Sequence, residues 1–346
     1  IEAGIAVTLA TVLKTWFSLP CVPAAQLAIS GDGRWVTYES DENNLVAPFT
    51  DNNGNGSDDV FARDMNTNTN YLVSSKNGGF TTGANGRSYS PAIAGTPAAI
   101  GDVRVSYDSD ATDIAALDIS PSASIYQGRA TNFNSILISR QTNSEGGLNA
   151  NSRANGSEMS DDGNLVFFST DATNLDPAPE YYGAYVRNIS AGTTKMRSND
   201  NEYAIAADIS GDGSRVAWSE NGGFTPDSDK AARSVFTRPA GGGAPEFTSR
   251  QPGNAPVIVP GAAYVESNYT GRAISADGRY VAFIAASNRL PGGSKRNQAF
   301  RRDLGQAQLA HDAIRLGLIL LISGQEPSDL LLASRSATQL SSPRLS

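Results

Sequence analysis

Short runs of alternating apolar and polar residues, separated by turn residues, fill most of this chain. The clearest example begins with an apolar run at residues 28–30, followed by a Gly-Asp-Gly turn and an alternating run at residues 34–38. Asp-Gly between two such runs is a hairpin signal, because both residues tolerate positive φ. Two further runs, at residues 59–64 and 71–74, complete the pattern. The stretch therefore predicts four antiparallel strands, which is the content of one propeller blade.

The same pattern recurs along the chain, and a valine in the second predicted strand marks each copy. The copies lie roughly 50 to 70 residues apart, which is long for a blade and places the extra length in loops. In the second copy an insertion at residues 94–102 replaces the tight turn. Two other insertions, at residues 77–87 and 251–270, are expected on a face of the propeller, where such folds bind other molecules. The marker valines are Val36, Val105, Val166, Val216 and Val281.

These repeats predict an all-β fold, a β-propeller of four-stranded antiparallel blades, over residues 27–305. Residues 306–346 are expected to form a degenerate closing blade or a tail. Together with the five clear repeats, this predicts six blades, while five blades, seven blades or an open fragment are the alternatives.

Residues 1–26 do not match the repeat and form a separate apolar segment. The apolar run at residues 5–13 is too short to cross a bilayer, so no transmembrane span is expected. Small residues follow it, as in the cleavage region of an export signal, but no basic residues precede it and Lys14 follows directly. The segment is interpreted as a signal remnant, an arm packed on the propeller, or a cloning artefact.

Composition narrows the class of partner. The net charge of −8 and the pI near 4.8 argue against nucleic acid, whose phosphates would be repelled. The single cysteine, Cys21, rules out an internal disulfide. Both observations are compatible with a soluble, secreted protein.

The repeated motif also resembles a known family. Ile-Ser-x-Asp-Gly-Arg-x-Val-x-Phe/Tyr, then Asn-Leu, then Asp-Val-Phe-x-Arg-Asp is similar to the WD-like repeats of TolB-type β-propellers. The resemblance covers residues 27–304 and is specific in the first, third, fourth and fifth copies. It implies a bacterial, exported protein, periplasmic or extracellular, whose usual role is binding or assembly. The same blade also occurs beside peptidase domains, so the resemblance leaves open whether the chain is an enzyme.

The loop at residues 51–59 is a candidate calcium site, because oxygen-bearing side chains alternate along it and Gly56 allows a sharp turn. An EF-hand needs a glutamate where this chain has Ala62, so the loop resembles instead the shorter calcium loops of integrin-type propellers. The alternative is a polar loop in which Asn and Gly supply turn geometry. The candidate ligands are Asp51, Asn53, Asn55, Ser57 (through its backbone carbonyl) and Asp59.

Two repeated residue types have both a functional and a structural interpretation. Arginines late in the third strands could form an anion-binding ring, or each could pair with a neighbouring acid. The aspartates of the tight turns could supply a catalytic carboxylate pair, but turn geometry explains their recurrence more simply. The arginines are Arg63, Arg129, Arg187, Arg238 and Arg302, and the aspartates are Asp32, Asp162, Asp212 and Asp277.

The sequence supplies little for catalysis, since His311 is the only histidine and no Gly-x-Ser-x-Gly elbow or zinc motif occurs. We therefore expect a non-catalytic propeller that binds a protein or glycan through face loops. One alternative is a self-assembling extracellular subunit, in which residues 1–13 or 318–322 join copies of the chain into a homo-oligomer. The other alternative is a polysaccharide lyase or hydrolase. Loop aromatics that could stack on a sugar or peptide, or pack locally, are Tyr181, Tyr182, Phe224, Tyr264 and Tyr269.

Overall fold

Four-stranded antiparallel sheets account for nearly all the regular structure. The computed structural model describes residues 26–54, 56–115, 123–130, 135–199, 203–221, 233–250, 263–264, 273–285, 298–305 and 309–310. Five sheets lie within these residues, and the strands of each sheet are ordered in space as in sequence. The helical elements of the described residues are two 3₁₀ turns, Ile100–Asp102 and Asn143–Glu145.

Strand bounds follow the chain in groups of four. The first sheet contains β1 (Leu27–Ile29), β2 (Trp35–Ser40), β3 (Asp59–Asp64) and β4 (Thr69–Leu72). The second contains β5 (Ser88–Ile93), β6 (Arg104–Ser109), β7 (Ser124–Arg129) and β8 (Ile136–Leu137). The third contains β9 (Ala154–Met159), β10 (Leu165–Thr170), β11 (Gly183–Asn188) and β12 (Thr193–Met196). The fourth contains β13 (Ala204–Ile209), β14 (Arg215–Asn221), β15 (Arg233–Pro239) and β16 (Glu246–Phe247), and the fifth β17 (Ala263–Tyr264), β18 (Tyr280–Ala285), β19 (Gln298–Asp303) and β20 (Leu309–Ala310).

The sheets are the blades of a β-propeller, with their first strands innermost. β1 contacts β5, β5 contacts β9, and β9 contacts β13, so the first strands of these four blades follow one another around an axis. The predicted fold class is confirmed. The expected closing blade lies outside the described residues, apart from Leu309–Ala310, which pairs with β19 as the fourth strand of the fifth blade.

A serine–aspartate pair closes the tight turn between the first two strands. Ser30 Oγ donates to Asp32 Oδ1 at 2.6 Å, and the backbone N–H of Arg34 donates to the same oxygen at 3.1 Å. Gly33 has a φ of 72°, which glycine adopts without strain. The same serine-to-aspartate bond recurs at Ser160–Asp162, Ser210–Asp212 and Ser275–Asp277. The turn aspartates therefore serve turn geometry, as their structural interpretation predicts.

Stacked aromatic pairs join the second and third strands of each blade, and those of the second to fifth blades are buried. Tyr107 of β6 and Tyr126 of β7 are fully buried, with ring centroids 5.9 Å apart. Such pairs combine a large apolar area with a favourable ring geometry. Four hydrophobic clusters lie between consecutive blades, from the first to the fifth, so the core is a series of interfaces between sheets. Equivalent pairs are Tyr38–Phe61, Phe168–Tyr185, Trp218–Phe236 and Phe283–Phe300.

Candidate functional site

The longer connections emerge at one end of the propeller. In a four-stranded meander, the turns after the first and third strands lie at one end, and the connections after the second and fourth strands lie at the other. We call this second end the loop face. It includes residues 41–58, 73–87 and 171–182, whereas the tight Ser-x-Asp-Gly turns lie at the opposite end.

The candidate calcium loop lies on the loop face and is organised by its own hydrogen bonds. Asp51 Oδ1 accepts from the backbone N–H groups of Asn53 at 3.0 Å and Gly54 at 2.9 Å. The Asn53 side-chain amide donates to the backbone carbonyl of Asp58 at 3.3 Å. Ser57 donates its backbone N–H to the carbonyl of Gly54 at 3.2 Å. These bonds are those of a compact polar turn.

Asp59 is the first residue of β3 and is only 3% exposed. Ser74 Oγ donates to its Oδ1 at 2.7 Å. Burial raises the pKa of Asp59 to about 7, and the nearby carboxylates of Asp51 and Asp58 add to this effect. Arg87 forms an ion pair with Asp58 at 2.7 Å. A bound cation would offset the unfavourable burial of Asp59.

Two observations bear on whether calcium fits this loop. The Oδ1 atom of Asn53 is buried and has no hydrogen-bond partner among the described residues, which suits a ligand oxygen. Against this, the described residues contain no group of three or more His, Cys, Asp or Glu side chains placed to hold a metal ion. Asn55 lies outside the described residues. Calcium binding at Asp51, Asn53, Ser57 and Asp59 therefore stays a prediction.

In the third, fourth and fifth blades, an arginine of the third strand links the blade to the preceding one. Arg187 donates to the backbone carbonyl of Gln141 at 3.0 Å, and Arg238 donates to that of Arg197 at 2.8 Å. Both carbonyls lie in the connection that leaves the preceding blade. Burial lowers the pKa of Arg187 to about 10, with a smaller contribution from Arg140. These contacts are structural, but the partners are backbone carbonyls and not the neighbouring acids that the structural interpretation named.

Arg129 does not share the position of the other arginines, so the prediction that the five arginines are equivalent is wrong in the second blade. Gly128 pairs with Val105, whereas the other four arginines pair with the marker valines of their blades. A Cβ atom on Gly128 would lie 2.7 Å from Cγ1 of Val73, so a larger residue does not fit there. An offset of one residue sends Arg129 to the opposite side of the sheet.

Asparagine side chains join loops of neighbouring blades across the loop face. The backbone N–H of Asn85 donates to Asp113 Oδ1 at 2.9 Å. The side-chain amide of Asn85 donates to Thr112 Oγ1 at 3.0 Å and accepts from the Thr112 backbone N–H at 2.8 Å. Equivalent bonds recur one blade further on, at Asn151, Thr173 and Asn174. The loop face is therefore held in one arrangement between the first and third blades.

A polar group of side chains lies beside the inner strands of the second and third blades, at the loop face. Arg153 Nη2 donates to Tyr89 Oη at 2.7 Å. Burial raises the pKa of Tyr89 to about 12, and Asp108 and Asp110 raise it further. The guanidinium of Arg87 lies 4.9 Å from the centroid of the Tyr89 ring. We call Tyr89, Asp108 and Arg153 the axial cluster.

Asp108 is the buried member of the axial cluster, with 1% exposure. Its Oδ2 accepts one long hydrogen bond, 3.4 Å, from the backbone N–H of Gly156. Its Oδ1 has no hydrogen-bond partner among the described residues. Burial raises the pKa of Asp108 to about 8, although Gly156 and Arg153 act in the opposite direction. The carboxyl is therefore mainly protonated at neutral pH.

The loop face also carries exposed apolar side chains. Phe80 is 64% exposed, Tyr181 58%, Leu148 57% and Tyr203 43%, and all four lie in connections of this face. Tyr203 stacks on Tyr182, with ring centroids 5.2 Å apart. Exposed aromatic residues next to polar groups are typical of binding surfaces.

Sequence reasoning found part of this surface. Tyr181 and Tyr182 lie in a connection of the loop face, as predicted, whereas Tyr264 lies in β17, and Phe224 and Tyr269 lie outside the described residues. The axial cluster was missed, because its members come from different strands and different blades. No local spacing in the sequence marks such a group.

Comparisons with solved structures return β-propellers. A TolB described as putative, from Agrobacterium tumefaciens, is 11% identical, with 83% of this chain and 79% of that chain covered and a TM-score of 0.45. TolB from Acinetobacter baumannii is 14% identical, with 89% and 57% covered and a TM-score of 0.42. The β-propeller domain of the trilobed protease from Pyrococcus furiosus is 10% identical, with 85% and 73% covered and a TM-score of 0.48.

Peptidases and an oligogalacturonate lyase are also among the similar structures. No family model and no curated protein matches the chain. The propeller fold of this chain rests on its own sheets and their contacts. The chain spans 57% of the Acinetobacter baumannii protein and 40% of a prolyl endopeptidase, less than two thirds of each. Among the described residues, no helix has the length and apolar character needed to cross a membrane.

Proposed function

We propose that this chain is a non-catalytic binding protein that takes a protein or glycan partner on its loop face. The observation that carries the proposal is that exposed aromatic side chains and the axial cluster lie at the same end of the propeller. Tyr203 and Tyr181 offer flat apolar surfaces, and Arg153 offers a charged donor held by Tyr89. Aromatic and arginine side chains supply much of the binding energy at protein interfaces, and aromatic rings stack on sugars.

The hydrogen bonds of Asn85 and Asn151 support the same proposal. They join loops of adjacent blades, so a partner would meet loops that are already ordered. Less conformational entropy is then lost on binding, and more of the contact energy appears as affinity.

The environment of Asp108 favours binding over catalysis. A carboxyl with a pKa near 8 suits general acid chemistry, but a general acid must contact the substrate atom that accepts its proton. Asp108 is 1% exposed, so a substrate on the loop face would not contact it. We assign it the role of supporting the axial cluster from within the blade.

The proposal includes two further properties. They are export to the periplasm or the extracellular space, and calcium binding by the loop at residues 51–59. Export rests on the apolar run at residues 5–13 and on the acidic composition. Calcium rests on the unpartnered Asn53 Oδ1 and on the buried carboxyl of Asp59.

Binding can be tested with a printed glycan array and a phage-displayed peptide library as probes. Probes retained by the unaltered chain are measured again with Phe80→Ala, Tyr203→Ala and Arg153→Gln. Ile136→Ala is the control, since Ile136 is 41% exposed but lies on β8, the outer strand of its blade. We expect lost binding in at least one loop-face variant and unchanged binding in the control. Equal retention by all variants, or no retained probe at all, would contradict the proposal.

A further inference from the structure

Each blade has two sides, one toward the preceding blade and one toward the following blade. The residue that pairs with the marker valine of each blade lies just before the turn to the second strand. In the second to fifth blades this residue packs on the preceding blade. Ile93 is 8% exposed, Met159 1%, Ile209 0% and Ile274 1%. Ile29, which holds this position in the first blade, is 38% exposed. The first blade therefore has an uncovered apolar side.

Two neighbours of Ile29 show the same difference. Leu27, on the same strand and the same side, is 37% exposed. Tyr38 is half-buried, whereas its equivalents in the other four blades have at most 2% exposure. Those equivalents are Tyr107, Phe168, Trp218 and Phe283.

The opposite side of the fifth blade is uncovered as well. Ala282 and Ile284 of β18, with Ala299 and Arg301 of β19, are all half-buried. The corresponding positions of the second, third and fourth blades are all buried. They are Ser106, Asp108, Ile125, Gln127, Phe167, Ser169, Ala184, Val186, Ala217, Ser219, Val235 and Thr237.

The exposed apolar residues of the first blade and the half-buried residues of the fifth blade mark two sides of the propeller that no blade of the described residues covers.

We propose that residues 311–346 of this same chain pack between the fifth and first blades, covering Leu27, Ile29 and Tyr38. The chain leaves the fifth blade after Ala310, at the end of an outer strand. After each of the four earlier outer strands, the chain continues into the next blade. That next blade covers one side of the blade that the chain has just completed. Residues 318–322 are uninterrupted Leu and Ile, the residue types that complement this surface. The segment is long enough for about two or three short strands.

The proposal is specific about the occupant of this surface. A second copy of the chain would cover the same residues by dimerisation, and residues 1–25 would cover them by folding back along β1. Finding either of these occupants on the surface would overturn the proposal. The axial cluster and the loop-face aromatics play no part in this inference, so it stands or falls independently of the proposed binding function.

Photo-crosslinking of the full chain tests the proposal. A benzophenone amino acid is placed at Ile29 and, in a separate control protein, at Ile136, which has similar exposure on an outer strand. A mixture of ¹⁵N-labelled and unlabelled chains separates crosslinks within one chain from those between chains. We expect Ile29 to crosslink to residues 311–346 of its own chain and Ile136 not to. Crosslinks to residues 1–25, crosslinks between chains, or no crosslink would each contradict the proposal.

A second variant pair checks the segment itself. Leu320→Asp puts a charge into the apolar run, and Ser336→Asp puts the same charge at a polar position of the same segment. We expect Leu320→Asp to abolish the crosslinks from Ile29 and to speed hydrogen exchange in β1 and β18, while exchange in β10 stays unchanged. Ser336→Asp should retain the crosslinks. Equal crosslinking in the two variants would contradict a role for the apolar run.

Discussion

Replacing Asp108 with asparagine should change how stability depends on pH. In the folded chain burial raises the pKa of Asp108 from 3.8 to about 8. Between these values the folded chain holds this proton and the unfolded chain has released it. Stability therefore falls as the pH rises through this window and levels off above it.

The magnitude follows from the size of the shift. Each pH unit in the window removes about 1.4 kcal/mol, so a shift of about four units amounts to on the order of 5 kcal/mol. Asparagine has nearly the same shape and does not ionise. The variant should be about 1.5 kcal/mol more stable than the unaltered chain at pH 5, where the unfolded chain has already released this proton, and on the order of 5 kcal/mol more stable above pH 8.

Urea unfolding at several pH values between about pH 5 and about pH 9 measures this difference. Asp110→Asn is the matched control, because Asp110 is an exposed carboxylate two residues away. The control should keep most of the pH dependence of the unaltered chain, because burial is the largest cause of the raised Asp108 pKa and Asp110 a smaller one. Part of the slope should persist even in Asp108→Asn, since burial also raises the pKa of Asp59, to about 7. Parallel stability curves for Asp108→Asn and the unaltered chain would refute the reasoning.

Four further outcomes are expected. Millimolar calcium should raise the Tm of the unaltered chain by a few degrees but not that of Asp59→Asn, and an equal shift in both would place the ion elsewhere. Phe168→Ala should lower the unfolding free energy by about 3–5 kcal/mol, whereas the exposed Phe80→Ala should change it by less than about 0.5 kcal/mol. Asn151→Ala should speed hydrogen exchange at residues 171–175 without changing exchange in β10. Gly128→Ala should destabilise by about 1–3 kcal/mol in urea unfolding, because its Cβ would meet Val73; a neutral effect would mean that β7 shifts freely.

Much of the fold could be read from local patterns. The hairpin predicted around Asp32 and Gly33 is present, and Ile29 lies opposite Val36 in it. Boundaries were less accurate, since the fourth strand was predicted at residues 71–74 and lies at Thr69–Leu72. Strand pairing within a blade depends on residues close in sequence, which is why the pattern of turns and alternation was sufficient.

The candidate site was harder to predict. Tyr89 and Arg153 belong to different blades, 64 residues apart, and only the packing of β5 beside β9 brings them together. The failure at Arg129 has a related cause, because a one-residue offset in β7 reverses the side on which a residue lies. Composition and motif spacing carry no information about either arrangement.

The strands, their order in each blade and the serine–aspartate turns follow from the amino-acid sequence, because each depends on steric and hydrogen-bonding preferences within a few residues. The ionisation of Asp108 and the exposure of Ile29 do not. Both depend on what the neighbouring blade places against them. Equivalent residues of a repeat share one local conformation but not one set of distant neighbours, and only the tertiary structure decides those.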